Sequence, residues 1–237
     1  MSEIRVLHVI ARMNAGGTAT YLANLIRGIE GLGVKNLLAM GVVPKGEAED
    51  RVVDSLPIVR VAELSREIIP VSDFKAYKNL QGVIAEFKPD LIHTHTFKAG
   101  LLLRLKRSNV PVVHSFHGHH LYDPEFGFVK RGVLNFLERR LAKRAKAIVT
   151  IGDRVKDELL EVGIGKSSQL HPIAPGIEVP ALESARDRRV EFGISSKEIV
   201  VMWECSKENL DTGAAWPSSA RVVRCWVKSR NERNPCH

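Results

Sequence analysis

Short apolar runs of strand length alternate with helically spaced stretches along most of this chain, and that alternation leaves few folds open. Ile4 to Ile10 (IRVLHVI) is the first run, rich in β-branched side chains. The loop Ala11-Arg12-Met13-Asn14-Ala15-Gly16-Gly17 follows it. Thr18 to Leu32 then carries apolar residues at 19, 22, 25, 26, 29 and 32. That spacing predicts a helix with one apolar stripe, closed by Gly33. Lys35 to Val43 and Pro57 to Ala62 read as strands, and Asp73 to Phe87 as a helix. Pro89 to His95 is a buried strand, Phe97 to Arg107 a helix, and Val110 to Phe116 a central strand. Phe128 to Arg144 is a long helix, Ala147 to Ile151 a strand, Asp153 to Val162 a helix stopped by Gly163, and Gln169 to Ala174 a last strand. The pattern predicts an α/β fold, a doubly wound, mostly parallel Rossmann-like sheet with right-handed crossovers.

Composition narrows the class. The chain has 237 residues, 44% hydrophobic and 26% charged, the balance of a globular protein with a substantial core. No apolar run is long enough to span a membrane, and the N-terminus lacks the basic-then-apolar layout of a signal peptide. The expectation is a cytoplasmic chain. A net charge of +8 favours anionic partners. Cys205, Cys225 and Cys236 lie near the C-terminus with Trp203, Trp216 and Trp226, and none has metal-ligand spacing.

Chemistry concentrates at strand ends, the rim where open α/β sheets bind ligands. His117 follows the central strand, and Gly118 next to it allows a sharp backbone turn. A structural histidine capping the strand is the competing reading. Gly16 and Gly17 lie between the first strand and first helix, where backbone N–H groups attract anions and glycine permits close approach. The loop is not GxGxxG, and no carboxylate closes the second strand (Gly41-Val42-Val43-Pro44-Lys45), so a dinucleotide dehydrogenase is disfavoured. In His93-Thr94-His95-Thr96, alternation places both histidines on one strand face. Spacing identifies no third metal ligand, which favours polar lining of a crevice. Lys98, in the next helix's first turn, is placed to meet an anionic group at the sheet rim.

The stretch 123–146 carries seven lysines and arginines against Asp123, Glu125 and Glu138. Apolar residues at 129, 133, 134, 137 and 141 form a stripe between them. Such a helix either faces the core or lies on an anionic membrane. Nucleic acid is not an expected partner, since no aromatic stacking platform accompanies the charge.

Taken together, RMNAGGTATYLANL, SREIIPVSDFKAYKNL, PDLIHTHTFKAG, HSFHGHHL and IGDRVKDELLEVGIG resemble the N-terminal half of GT-B glycosyltransferases, most of all the large retaining family 4. The resemblance covers about residues 4 to 180. It implies a cleft between two Rossmann-like domains, the first binding mainly the acceptor and the second a nucleotide-diphosphate sugar. Carried over by position, Gly16, Gly17 and Thr18 belong beside the donor diphosphate, and His117 is the catalytic histidine near the reacting carbon. Asn14, His95, Lys98, Gly118 and His119 line the cleft or meet the acceptor. The Lys98 and His119 motifs are similar to those of a bacterial subset acting on lipid-linked or cell-envelope acceptors, which favours peripheral membrane contact through residues 128–146. The implied chemistry uses a nucleotide sugar as substrate and needs no metal or other cofactor.

The resemblance implies a boundary near residue 180, with Pro175-Gly176-Ile177-Glu178 just before the interdomain linker. Residues 181–203 would be linker and the first elements of a second domain, with Glu198 to Trp203 its first strand. The Gly-Arg loop, diphosphate-gripping lysine and Glu-rich motif that the family would show next do not follow. Residues 204–237 are expected to be an atypical, poorly ordered tail, most of the donor domain to be missing, and the chain to be inactive alone. The rival expectation is a non-catalytic module that docks on membranes or a partner chain.

Overall fold

The computed structural model describes residues 3–44, 46–118, 127–176, 201–204 and 223–226. The chain divides into two compact units, Met1–Glu178 and Val179–His237. The first contains strands β1 (Ile4–Ile10), β2 (Val34–Met40), β3 (Ile58–Arg60), β4 (Leu91–His95), β5 (Val112–Phe116), β6 (Ala147–Thr150) and β7 (Leu170–Pro172). Their spatial order is β3-β2-β1-β4-β5-β6-β7, and every neighbouring pair is parallel. Helices α1 (Gly17–Glu30), α2 (Pro70–Phe87), α3 (Thr96–Arg104), α4 (Phe128–Ala142) and α5 (Asp153–Glu161) join them, with a 3₁₀ turn at Arg51–Ser55. This is the doubly wound Rossmann-like fold the alternation predicts.

Period-two alternation sorts the strand side chains between the faces. Leu7, Val9, Ala39, Ile92 and Val112 pack with Ala76 and Leu80 of α2 and Ala99, Leu102 and Leu103 of α3. On the opposite face, Ile10, Leu38 and Met40 meet Ala19, Leu22, Ala23 and Ile26 of α1. A third cluster joins Phe116, Ile148 and Leu170 to Ala142 of α4 and Leu159 of α5. Three segments touch at Gly41, where an added Cβ would lie 1.7 Å from the Leu64 carbonyl oxygen and 2.3 Å from that of Ala11.

Several predicted boundaries shift for local reasons. Pro70 opens α2 three residues ahead of the predicted start, because a proline in the first turn forgoes no intrahelical bond. The apolar stripe of α1 does not reach Leu32, which is 81% exposed. The chain has left the helix there, and Gly33, at φ 80°, donates its N–H to the Glu30 carbonyl. The stripe of α4 divides as well: Leu141 is buried, whereas Val129 and Val133 are exposed. Wholly buried Arg104 ties α4 to α3, donating from Nη2 to both Glu138 carboxylate oxygens at 3.2 and 3.1 Å.

In the second unit, β8 (Val201–Glu204) and β9 (Val223–Trp226) pair in parallel. The first overlaps the predicted Glu198–Trp203 strand. The second was not anticipated, because four residues are too few to display a period. Expectations for 181–200, for the rest of the tail at 205–222 and 227–237, and for Ile177 and Glu178 fall outside the described residues.

Candidate active site

The strand order reverses beside β1. The chain moves outward through β2 and β3, then returns to place β4 on the other side. Connections leaving β1 and β4 therefore diverge to opposite faces and open a crevice at the carboxyl edge. Ile10 and His95, the last residues of these strands, are register partners, and His95 is also level with Ser115 of β5.

The loop after β1 is fastened from the side. Asn14 forms an isolated antiparallel bridge with Glu49, Ala15 N–H donates to the Ala48 carbonyl (2.9 Å), and Asp50 N–H donates to that of Met13 (2.9 Å). Arg12 pairs with Glu47. This bracing delivers Gly16 and Gly17 to the start of α1. Gly16 adopts φ 158°, ψ 177°, a region close to glycine-only. Both glycines are exposed, and nothing lies within 4 Å of where a Gly17 Cβ would stand. No side chain caps the helix; the Ala19 and Thr20 N–H groups donate to the Gly16 carbonyl, which leaves those of Gly17 and Thr18 for the crevice edge.

His117 follows β5 directly and is partly buried. Its Nε2 lies 3.1 Å from Nδ1 of His95, and its ring meets Tyr21 edge-on at 4.8 Å. Tyr21 sits one helical turn into α1, about 6 Å along the axis from Gly17. The diglycine turn and the imidazole thus converge on one sheet edge. Gly118 is exposed at φ 133°, where an L side chain would be strained. His119 lies outside the described residues.

Beneath this edge runs a buried polar seam on the α1 face. His8 of β1 contacts His95 (Nδ1 to Nε2, 3.3 Å) and Asn36 of β2 (Nε2 to Oδ1, 3.3 Å). His93 Nε2 lies 2.7 Å from Ser115 Oγ. Burial pushes the imidazoles of His8 and His117 down to about 4. Those of His93 and His95 fall well below the usual range, first through burial and then through neighbouring imidazoles. His114 is also lowered, by burial and then by the Arg104 charge; it lies on the other face, 2.8 Å from Thr94 Oγ1.

The structure supplies the third histidine that spacing along β4 did not identify: His8, His93 and His95 place ring nitrogens within 4.8 Å of one another. Both nitrogens of His8 and of His95 already face protein partners at hydrogen-bonding distance, and one of His93 faces Ser115.

Lys98 is placed differently from the expectation. It is 2% exposed and donates to the Asp73 carboxylate and the Glu67 carbonyl, so its charge is engaged between α2 and α3 instead of reaching into the crevice. Residues that sequence reasoning missed include His8, Asn36, Tyr21 and Thr96. Thr96, first in α3, holds φ 68°, an outlier for a β-branched residue, and its buried hydroxyl lacks a partner. Beyond His93 and His95 on one face of β4, the signal for the seam was a histidine inside the largely apolar run of β1.

Comparison with known proteins gives this geometry a family. The glycosyl transferase 4-like domain matches residues 16–176, more than half of the chain. The chain belongs to that glycosyltransferase family. It is 30% identical over 115 residues to the Escherichia coli UDP-Gal:alpha-D-GlcNAc-diphosphoundecaprenol alpha-1,3-galactosyltransferase, covering 47% of this chain and 30% of that enzyme. Among solved structures, sucrose-phosphate synthase from Thermosynechococcus elongatus superposes with a TM-score of 0.63 at 15% identity, over 84% of this chain and 55% of that one. Anabaena HepE, in complex with UDP and glucose, gives 0.59 at 15%, over 84% and 53%. These structures share the GT-B fold, and the chain spans about half their length.

Proposed function

We propose that this chain is the acceptor-side domain of a retaining, family-4-type glycosyltransferase that moves a sugar from a nucleotide-diphosphate donor to a carbohydrate or lipid-linked acceptor. The observation that carries the reading is the meeting of Gly17, Tyr21 and His117 at the switch-point crevice of a chain in this family. Departure of a nucleotide diphosphate builds negative charge on the leaving group, and N–H groups at the start of α1 are suited to stabilise it. His117 stands beside them as the catalytic histidine. Asn14 and Gly118 line the crevice, whereas His95, expected there, is wholly buried beneath it and reaches it only through His117. The reading needs no metal or other cofactor, and the engagement of His8 and His95 by protein partners supports that.

An uncapped α4 face supports a peripheral, cytoplasmic-side role on an anionic membrane. Val129, Val133 and Phe136 are exposed, and the Arg140 guanidinium lies 4.8 Å over the Phe136 ring. Among the described residues no helix is long and apolar enough to cross a membrane. The same face favours the second reading, a non-catalytic membrane-docking module.

The test is transfer of labelled sugar from UDP-hexoses to a diphosphate-lipid acceptor, with residues 4–176 grafted into a full-length relative. Turnover is expected, and His117→Ala should lower kcat by about 100-fold or more with the fold intact. The 237-residue chain by itself is expected to show little or no transfer, because it spans about half the length of the solved glycosyltransferase structures it resembles. Unchanged turnover of the alanine variant would return His117 to strand capping. Vesicle binding without transfer by the graft would favour docking.

A further inference from the structure

The buried seam has a direction, and Asn36 sets it. The Asn36 side-chain amide donates from Nδ2 to two backbone carbonyls, Val34 at 3.1 Å and Ile26 at 3.3 Å. Carbonyl oxygens only accept, so the network orients the amide and turns Oδ1 toward His8. His8 must then donate from Nε2 across its 3.3 Å contact.

A neutral imidazole carries one proton, so His8 Nδ1 is left as an acceptor. The nitrogen 3.3 Å away is Nε2 of His95, which must donate. Its Nδ1 in turn accepts, and the nitrogen facing that atom at 3.1 Å is Nε2 of His117. Burial keeps all three rings neutral near pH 7. Each link fixes the next, from a side chain on β2 across β1 and β4 to the end of β5.

We propose that Asn36 is a positioning residue for His117: through His8 and His95 it holds the His117 proton on Nε2 and leaves Nδ1 as a hydrogen-bond acceptor. An acceptor nitrogen recognises a hydroxyl and disfavours phosphate or carboxylate oxygens. At the crevice, His117 therefore reads a hydroxyl of the bound sugar or acceptor, while the α1 N–H groups take the phosphates. The hydroxyl assignment rests on the glycosyltransferase reading; the proton positions do not.

The experiment is nitrogen-15 NMR of the 237-residue chain with labelled histidine, without substrate, so failure of sugar transfer does not affect it. His8, His95 and His117 should each show a single Nε2–H tautomer. Couplings through the hydrogen bonds should run from His95 Nε2 to His8 Nδ1 and from His117 Nε2 to His95 Nδ1. A proton on Nδ1 of His117 in the wild type would overturn the proposal. Asn36→Leu removes the anchor and should give a measurable Nδ1–H fraction at all three rings together, with His114 on the opposite face unchanged. His8→Phe keeps Asn36 and its backbone bonds, and should release His95 and His117 in the same way. Wild-type tautomers at His117 in either folded variant would show that Asn36 does not act through the relay. If neither variant folds, the wild-type couplings decide alone.

Discussion

Single residues hold this crevice together by what they lack as much as by what they carry. Gly41 lies just past β2, where the backbones after β1 and β3 close on it from two sides. A methyl group there would collide with main-chain oxygens at 1.7 and 2.3 Å, and main chain cannot rotate away as a flexible side chain does. Gly41→Ala is expected to cost at least about 3 kcal/mol, more than ordinary overpacking, because two connections must separate. Chemical denaturation would read this as a lower midpoint; a midpoint within error of wild type would mean the contact relaxes freely. Gly17→Ala, with open space at its Cβ, serves as the stability control. At this scale the sequence marked His117 and the diglycine turn, which announce themselves by type and by position after a strand. It could not mark Gly41, whose role depends on the distant Leu64 and Ala11, nor Asn36, whose partner His8 lies 28 residues away.

Among elements, α4 shows where a periodic pattern stops being informative. Its stripe at 129, 133, 134, 137 and 141 fits a core-facing helix, yet Val129 and Val133 are exposed, Leu134 and Leu137 are half-buried, and Leu141 is buried beside the Glu138 pair with Arg104. Spacing reports that residues share a face; it does not report whether another element covers that face. The strands and α-helices of the first unit were legible from apolar runs, helical spacing and the turn residues that bound them, whereas the 3₁₀ turn at Arg51–Ser55, too short to show a stripe, was not. Strand ends were less so, since Val43 and Ile151 are as apolar as the strands they follow but make no ladder bonds. The exposed α4 face around Phe136 and Arg140 is expected to bind vesicles containing anionic lipid and to release them as salt rises. Val133→Asp with Phe136→Glu should weaken sedimentation with such vesicles by roughly tenfold or more, since each change loses apolar insertion and adds repulsion. Equal binding by the double variant, or equal binding to neutral vesicles, would place the contact elsewhere or remove it.

At the scale of the whole molecule, the histidine seam makes stability a function of acidity. Five imidazoles, at 8, 93, 95, 114 and 117, are held neutral in the fold at pH values where an unfolded chain would protonate them. A histidine whose folded value lies below its unfolded one contributes stability that is present above the unfolded value and is lost as pH falls toward the folded one. For His8 the window runs from 6.5 down to about 4, worth about 3 kcal/mol from that buried ring alone. The rings contact one another, so the protons enter as a set and the loss belongs to the cluster. Charging the cluster works against the roughly 5–15 kcal/mol that holds an ordinary domain folded. The chain is therefore expected to keep constant stability above pH 7 and to unfold cooperatively between pH 6.5 and 4, taking up more than two protons per molecule. Circular dichroism followed through an acid titration, with calorimetric proton counting, measures both quantities. A chain still folded and equally stable at pH 4 would mean the seam accepts charge, through water entry or ring rotation, and that its imidazoles are not locked in the neutral arrangement the relay requires.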